Sequence, residues 1–163
     1  MNQPTRLTFA LLVALALQSC GGEEDGAGGS EPATTAPAPA APVSMPRAAA
    51  PPGAAVFFIT PMNGQTVSSP VTVKFGISGM AVAPAGDMTP NTGHHHLLVD
   101  VELADATLPV PSDANHLHFG KGQTETVLEL TPGEHRLQMV LGDANHVPHD
   151  PPVVSAPIVI TVE

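Results

Sequence analysis

The stretch VTVKFGI, Val71 to Ile77, decides the fold. Val71, Val73, Phe75 and Ile77 fall on one side of an extended chain, with Thr72 and Lys74 on the other. Apolar residues at every second position describe a strand with one buried face, because successive side chains of an extended backbone point to opposite sides. No segment from Ala54 onward keeps a helical period. The same alternation instead returns in short Val-, Ile-, Phe- and Leu-rich runs separated by Pro, Gly, Asn and Asp.

Working outward from Val71–Ile77, the pattern predicts strands at Val56–Thr60, His95–Leu103, His116–Phe119, Thr124–Leu130, His135–Leu141 and Pro157–Val162. In the third strand Leu97, Val99, Val101 and Leu103 are expected inward; Thr126, Leu128 and Leu130 in the fifth; Leu137, Met139 and Leu141 in the sixth. Turn-forming MNG, GKGQ and TPGE stand between them. About seven short strands with these turns predict an all-β, immunoglobulin-like antiparallel β-sandwich over residues 54–163. With one cysteine and no tryptophan it is not an antibody-type domain. His135, at the start of the sixth strand, takes the place where such sandwiches put a corner tyrosine.

Upstream of the domain the chain is of another kind. Residues 1–19 read as a signal peptide: a polar start with Arg6, then an apolar run, Leu7–Leu17, too short for a permanent membrane span. The run ends in LQSC, Leu17–Cys20, which resembles the lipobox of bacterial lipoproteins and makes Cys20 the expected lipidation site. From Cys20 to Gly53 the composition is chiefly Gly, Pro, Ala, Ser, Thr and Glu, too poor in large apolar groups to offset ordering entropy. The stretch is therefore expected to be a disordered tether. The expected location is outside the cell or in the periplasm, anchored to the membrane through an N-terminal lipid.

The charge balance narrows the partners. Five Lys and Arg face fifteen Asp and Glu; removing Arg6 with the signal leaves four against fifteen. Nucleic acid and anionic lipid head groups are disfavoured, and cations are favoured.

All eight histidines lie between His94 and His149. They fall in GHHHLLVD (Gly93–Asp100), DANHLHFG (Asp113–Gly120), GEHRL (Gly133–Leu137) and GDANHVPHD (Gly142–Asp150). The repeated DANH is economical turn chemistry, since Asp bonds the backbone two residues on and Asn tolerates the left-handed conformation. Turn chemistry does not explain a histidine directly after it both times, each followed by another within three residues. On a strand, His-x-His places two imidazoles on one face about 6–7 Å apart, close enough to lean onto one cation. His94 with His96, and His116 with His118, have that spacing. Alternating strand directions bring the start of the third strand, the end of the fourth and the loop after the sixth to one pole. The candidate metal ligands are therefore His94, His96, His116, His118, His146 and His149, with Asp100, Asp113, Asp143 and Asp150 placed to orient rings from behind or complete a site. Imidazoles without thiolates suit Cu(II), Zn(II) or Ni(II). His95 shares a strand face with Leu97 and Val99 and is expected in the core; His135 belongs to the opposite pole, as a structural group. Met62, Met80 and Met88 read as fillers of core and loop.

The runs GHHHLLVD, DANHLHFGKGQTET and PGEHRLQMVLGDANHVPHDPPVVS, in that order, resemble a family of bacterial secreted domains known as domain of unknown function 4399. The resemblance covers about Ala54 to Val162 and implies a small exported β-rich domain, often lipid-anchored; it brings no established activity, so no catalytic residue is carried over. In style the histidine-bearing sandwich is similar to periplasmic copper-binding modules.

Three functional readings follow. The first is a metal-binding module, copper ahead of zinc, that buffers, senses or delivers the ion. The second is a non-catalytic envelope module binding a protein or glycan through the histidine pole, with imidazoles that respond to acidification. The third, an enzyme, is the least expected: the chain has no G-x-S-x-G, no H-E-x-x-H and no phosphate loop.

Overall fold

The computed structural model describes residues 45–163. Residues 1–19, Cys20 and most of the tether lie outside the described residues. Nine strands form two sheets, and no helix occurs among the described residues. The first sheet is β1 (Ala55–Thr60), β3 (Val71–Ser78) and β7 (Glu125–Leu128), in the order β1-β3-β7. The second runs β2 (Thr66–Val67), β9 (Ile158–Val162), β8 (Gly133–Gly142), β5 (Thr92–Val99), β4 (Ala81–Val82). The three-residue β6 (His116–His118) also pairs with β5. The major pairings are antiparallel, and the arrangement is the expected immunoglobulin-like sandwich.

The alternation of Val71–Ile77 is the reason the sheets stack. Val71, Val73 and Phe75 are buried while Thr72 and Lys74 are exposed. They meet Leu97, Leu137, Met139, Leu141 and Ile160 from the second sheet in one core. Each such side chain, fully buried, contributes about 1.5–3 kcal/mol.

The central strand departs from expectation at both ends. It begins at Thr92 rather than His95, because β4 pairs in parallel with Thr92 and Gly93. It stops at Val99 rather than Leu103. Asp100 takes a left-handed φ of 60° and its side chain accepts the Arg136 N–H at 2.8 Å, so the ladder breaks there. Val101 and Leu103, expected in the core, instead pack on a second, smaller cluster of Leu98, Val110 and Val140 on the outer face of the sheet. That outer cover explains why β5 is buried on both faces from Gly93 to Val99. His95, Leu97 and Val99 face inward; His94, His96 and Leu98 face the cover.

The stretch Met45–Gly53, expected within the tether, is partly bound to the domain. Ala49 bridges to Asp150, and Arg47 donates to the carbonyls of Pro148 (2.9 Å) and His149. A lone arginine amid Ala and Pro finds carbonyl acceptors there, which composition alone does not reveal.

Candidate metal centre

Four histidines converge on the outer face of the second sheet. Two come from β5, where the period of two puts His94 and His96 side by side. The third, His118, lies on β6 directly across from His96 in the strand register. The fourth, His146, sits in the loop after β8, whose end pairs Gly142 with His94. Ring centroids are 4.8 Å apart for His94–His96, 4.9 Å for His94–His118, 4.9 Å for His94–His146 and 4.7 Å for His118–His146. The Nε2 atoms of His94 and His96 are 3.0 Å apart. One ligand nitrogen from each of His94, His96 and His118 falls within 4.8 Å of the others.

Those spacings can be compared with a coordination sphere. Two nitrogens each about 2.0–2.1 Å from one ion are about 2.9 Å apart when cis on a square plane and about 3.3 Å apart on a tetrahedron. The observed 3.0 Å lies within that interval. It is equally the length of one N–H···N bond between neutral rings.

The electrostatics favour neutral imidazoles. Burial, then the imidazoles of His146 and His118, lower the pKa of His94 to about 4 against the opposing pull of Asp143. Burial, then the neighbouring rings, lower His96 to about 2. His118 is lowered as well, by burial and by His146. Rings that carry a single proton at neutral pH have a lone pair on the other nitrogen to give a cation, and binding there needs no proton to leave them. His94 and His96 are buried, His146 is half-buried, and His118 is the most open to solvent of the four.

Two glycines provide the room. A Cβ on Gly142 would stand 2.9 Å from His96 Nε2, and one on Gly120 would stand 2.4 Å from His118 Cε1. The glycines that follow HLHF and precede DANH are the sequence signal for this crowding.

The remaining expected ligands lie elsewhere. His116 is across from Leu98 and turns back onto Asp113, Nδ1 to Oδ1 2.9 Å. His149 is buried between carbonyls, 3.1 Å from Thr92 O and 3.3 Å from Leu141 O. Nor does an aspartate brace a ring of the group: Nδ1 of His94 and Nδ1 of His96 have no hydrogen-bond partner. Asp100 instead faces His135 Nδ1 at 2.7 Å, Asp113 serves its own turn, Asp143 caps the His146 loop, and Asp150 pairs with Arg47 at 3.4 Å. His135, at the far pole, also bonds Thr131 O four residues upstream at 2.8 Å, as a corner residue should. His95 lies in the core against Phe75, centroids 5.1 Å apart, with neither ring nitrogen partnered; burial lowers its pKa to about 4.

No curated protein matches the chain. A solved structure of the fibronectin(III)-like modules of Clostridium thermocellum CbhA is similar at 14% identity and a TM-score of 0.35, covering 66% of this chain and 92% of that one. Residues 73–163, which include all four converging histidines, match the family described as "Domain of unknown function (DUF4399)", and the chain belongs to that family.

Proposed function

We propose that the domain binds one transition-metal ion through His94, His96, His118 and His146, with copper preferred to zinc, and that it buffers, senses or delivers that ion from a lipid anchor at Cys20 outside the cytoplasm. The observation that carries the reading is the approach of two buried Nε2 atoms to 3.0 Å within a group of four imidazoles. The two buried Nε2 atoms have only each other as partners, and a shared cation would take a lone pair from each. An all-nitrogen, thiolate-free donor set is suited to Cu(II) and to Zn(II). Exported proteins meet labile copper, and the excess of acidic residues concentrates cations near the surface.

The test is calorimetric titration of Cu(II) and Zn(II) into untagged protein (residues 21–163) in a non-coordinating buffer. One equivalent should bind with sub-micromolar affinity, copper more tightly, and His94→Ala/His96→Ala should abolish it. Binding no tighter than an exposed histidine pair provides would refute the proposal.

A further inference from the structure

The four histidines are not held equally. His94, His96 and His118 are fixed by the hydrogen-bond ladder of β5, β6 and β8. His146 sits in a loop and adopts φ 68°, a left-handed conformation that a non-glycine residue keeps only when its surroundings enforce it.

Part of that enforcement is internal. The His146 N–H donates to Asp143 O at 2.9 Å, and Asp143 Oδ1 accepts the N–H groups of Asn145 (2.8 Å) and Val147 (3.0 Å). Val110 N–H donates to His146 O at 2.9 Å. The rest comes from residues 47–50, far away in sequence. Ala48 N–H donates to the free oxygen of the same aspartate, Asp143 Oδ2, at 3.2 Å. Arg47 donates through Nε to Pro148 O at 2.9 Å and through Nη2 to His149 O, and its Nη1 is 3.4 Å from Asp150 Oδ1. Two backbone bonds of 2.9 Å, Asp150 N to Ala48 O and Ala50 N to Asp150 O, complete the clasp. The strap therefore grips the His146 loop before the histidine, at Asp143, and after it, at Pro148–Asp150. A cleft of about 400 Å³ lies beside these contacts, walled by the strap, residues 87–92 and Asp143–Asn145. The Arg47 side chain is only 16% exposed; its fork is spent on two carbonyls and a carboxylate.

From this geometry we infer that Arg47 is a positioning residue of the metal centre: it holds the Asp143–Asp150 loop so that His146 is presented to the other three imidazoles. The inference rests on the metal reading above. It also makes the centre depend on a segment outside the family-matched residues 73–163, so the end of the tether and the metal loop form one unit. A protein cut at Ala54 would lack the strap and should bind metal as an Arg47 variant does.

The test uses Arg47→Ala, His146→Ala and the double variant of the 21–163 protein, with two readouts. In the metal-free protein, hydrogen exchange at the His146 and Val147 amides should be at least about tenfold faster in Arg47→Ala, while the β5 and β8 amides stay protected and report an intact sandwich. With Cu(II), Arg47→Ala should weaken binding by about tenfold, and its visible and EPR spectra should move toward those of His146→Ala. Adding Arg47→Ala to His146→Ala should cost little more, because the arginine acts through that ring. Unchanged exchange at residues 146 and 147 would overturn the positioning role even if the wild type bound no metal. Accelerated exchange in a protein that binds no metal would retain the strap as a loop clamp but overturn its assignment to a metal centre. Multiplicative losses in the double variant would show that Arg47 acts elsewhere.

Discussion

The two DANH loops use the same turn and deliver their histidines differently. In both, the aspartate Oδ1 accepts the asparagine N–H at 2.8 Å: Asp113 from Asn115, Asp143 from Asn145. They diverge at the next bond. Asp113 Oδ1 takes the His116 N–H (3.0 Å), and the chain runs straight into β6, with His116 folded back on the carboxylate. Asp143 Oδ1 passes over one residue to take the Val147 N–H (3.0 Å), which leaves His146 in the left-handed conformation, facing the other rings. Each loop supplies one histidine to the group, but the first gives its second, His118, and the second gives its first, His146. A turn motif fixes where the chain reverses; pairing with β5 brings His118 to the group, and the Asp143–Val147 bond brings His146.

The two loops should differ most at the histidines themselves. His146→Ala should weaken metal binding by about a hundredfold, equivalent to about 2.8 kcal/mol, whereas His116→Ala should leave it within about threefold. Titration of both variants in parallel decides this. Equal losses would mean that His116 swings away from Asp113 to bind the ion.

The two aspartates should differ in stability. Asp143 is buried and accepts three amides, from Asn145, Val147 and Ala48. Asp143→Ala strands those donors, and denaturant unfolding of the metal-free protein should show a loss of about 2–4 kcal/mol. Asp113 is exposed, so water can replace it; Asp113→Ala should cost about 1 kcal/mol or less. A similar cost for both would mean that the second loop is no more ordered than the first.

The glycines that crowd the site, Gly120 and Gly142, should also differ. Gly120→Ala would drive a methyl group into the His118 ring, at the mobile end of a solvent-facing side chain. The ring can move, so the fold should lose about 1 kcal/mol or less while metal affinity falls by about tenfold. Gly142→Ala meets His96 Nε2 at 2.9 Å and His146 Cα at 3.3 Å, inside a packed site with less freedom to yield. It should cost more of both. Thermal melts and metal titration of the pair separate clearance from folding.

The same contrast shows what the sequence made legible. Period-two alternation located the β3 core face and put His94 and His96 together, because pleat geometry is local. The convergence of the start of β5 with the loop after β8 followed from alternating strand directions. The fate of His116 was hidden because it depends on a side chain choosing Asp113 over a cation, and the pleat alone does not set that choice. The end of β5 was hidden because Asp100, after a last backbone bond to Arg136 O, turns left-handed and gives its carboxylate to His135 and Arg136 N–H, partners about thirty-five residues away. Arg47 was hidden by composition: it is the only charged residue between Glu31 and Lys74, and that isolation was its one visible signal.

The smallest expected effect comes from the Asp100–His135 contact, at the far pole. Burial works against a charged His135, but the Asp100 carboxylate and the Thr131 carbonyl outweigh it, and the pKa is raised. A raised folded pKa means that the pair's contribution is fully present below the unfolded value of about 6.5 and is lost as pH rises through the higher folded value. The contact is near the surface and screened, so the contribution should be about 0.5 kcal/mol. Between pH 8.5 and pH 6 the metal-free wild type, in which this contribution partly offsets the loss from the buried histidines, should therefore lose slightly less unfolding free energy than Asp100→Asn. The four-histidine pole has the opposite sign, because His94 and His96 stay neutral when folded and protonate only in the unfolded chain as pH falls. Their contribution favours the folded state above pH about 6.5 and declines below it. His135 and the cluster thus pull the pH profile in opposite directions, and Asp100→Asn should leave the cluster's loss on acidification intact while removing the small loss on the alkaline side. If Asp100→Asn instead reduced the acid-side loss, the two poles would not be electrostatically independent, and the assignment of His135 to a corner role would fail.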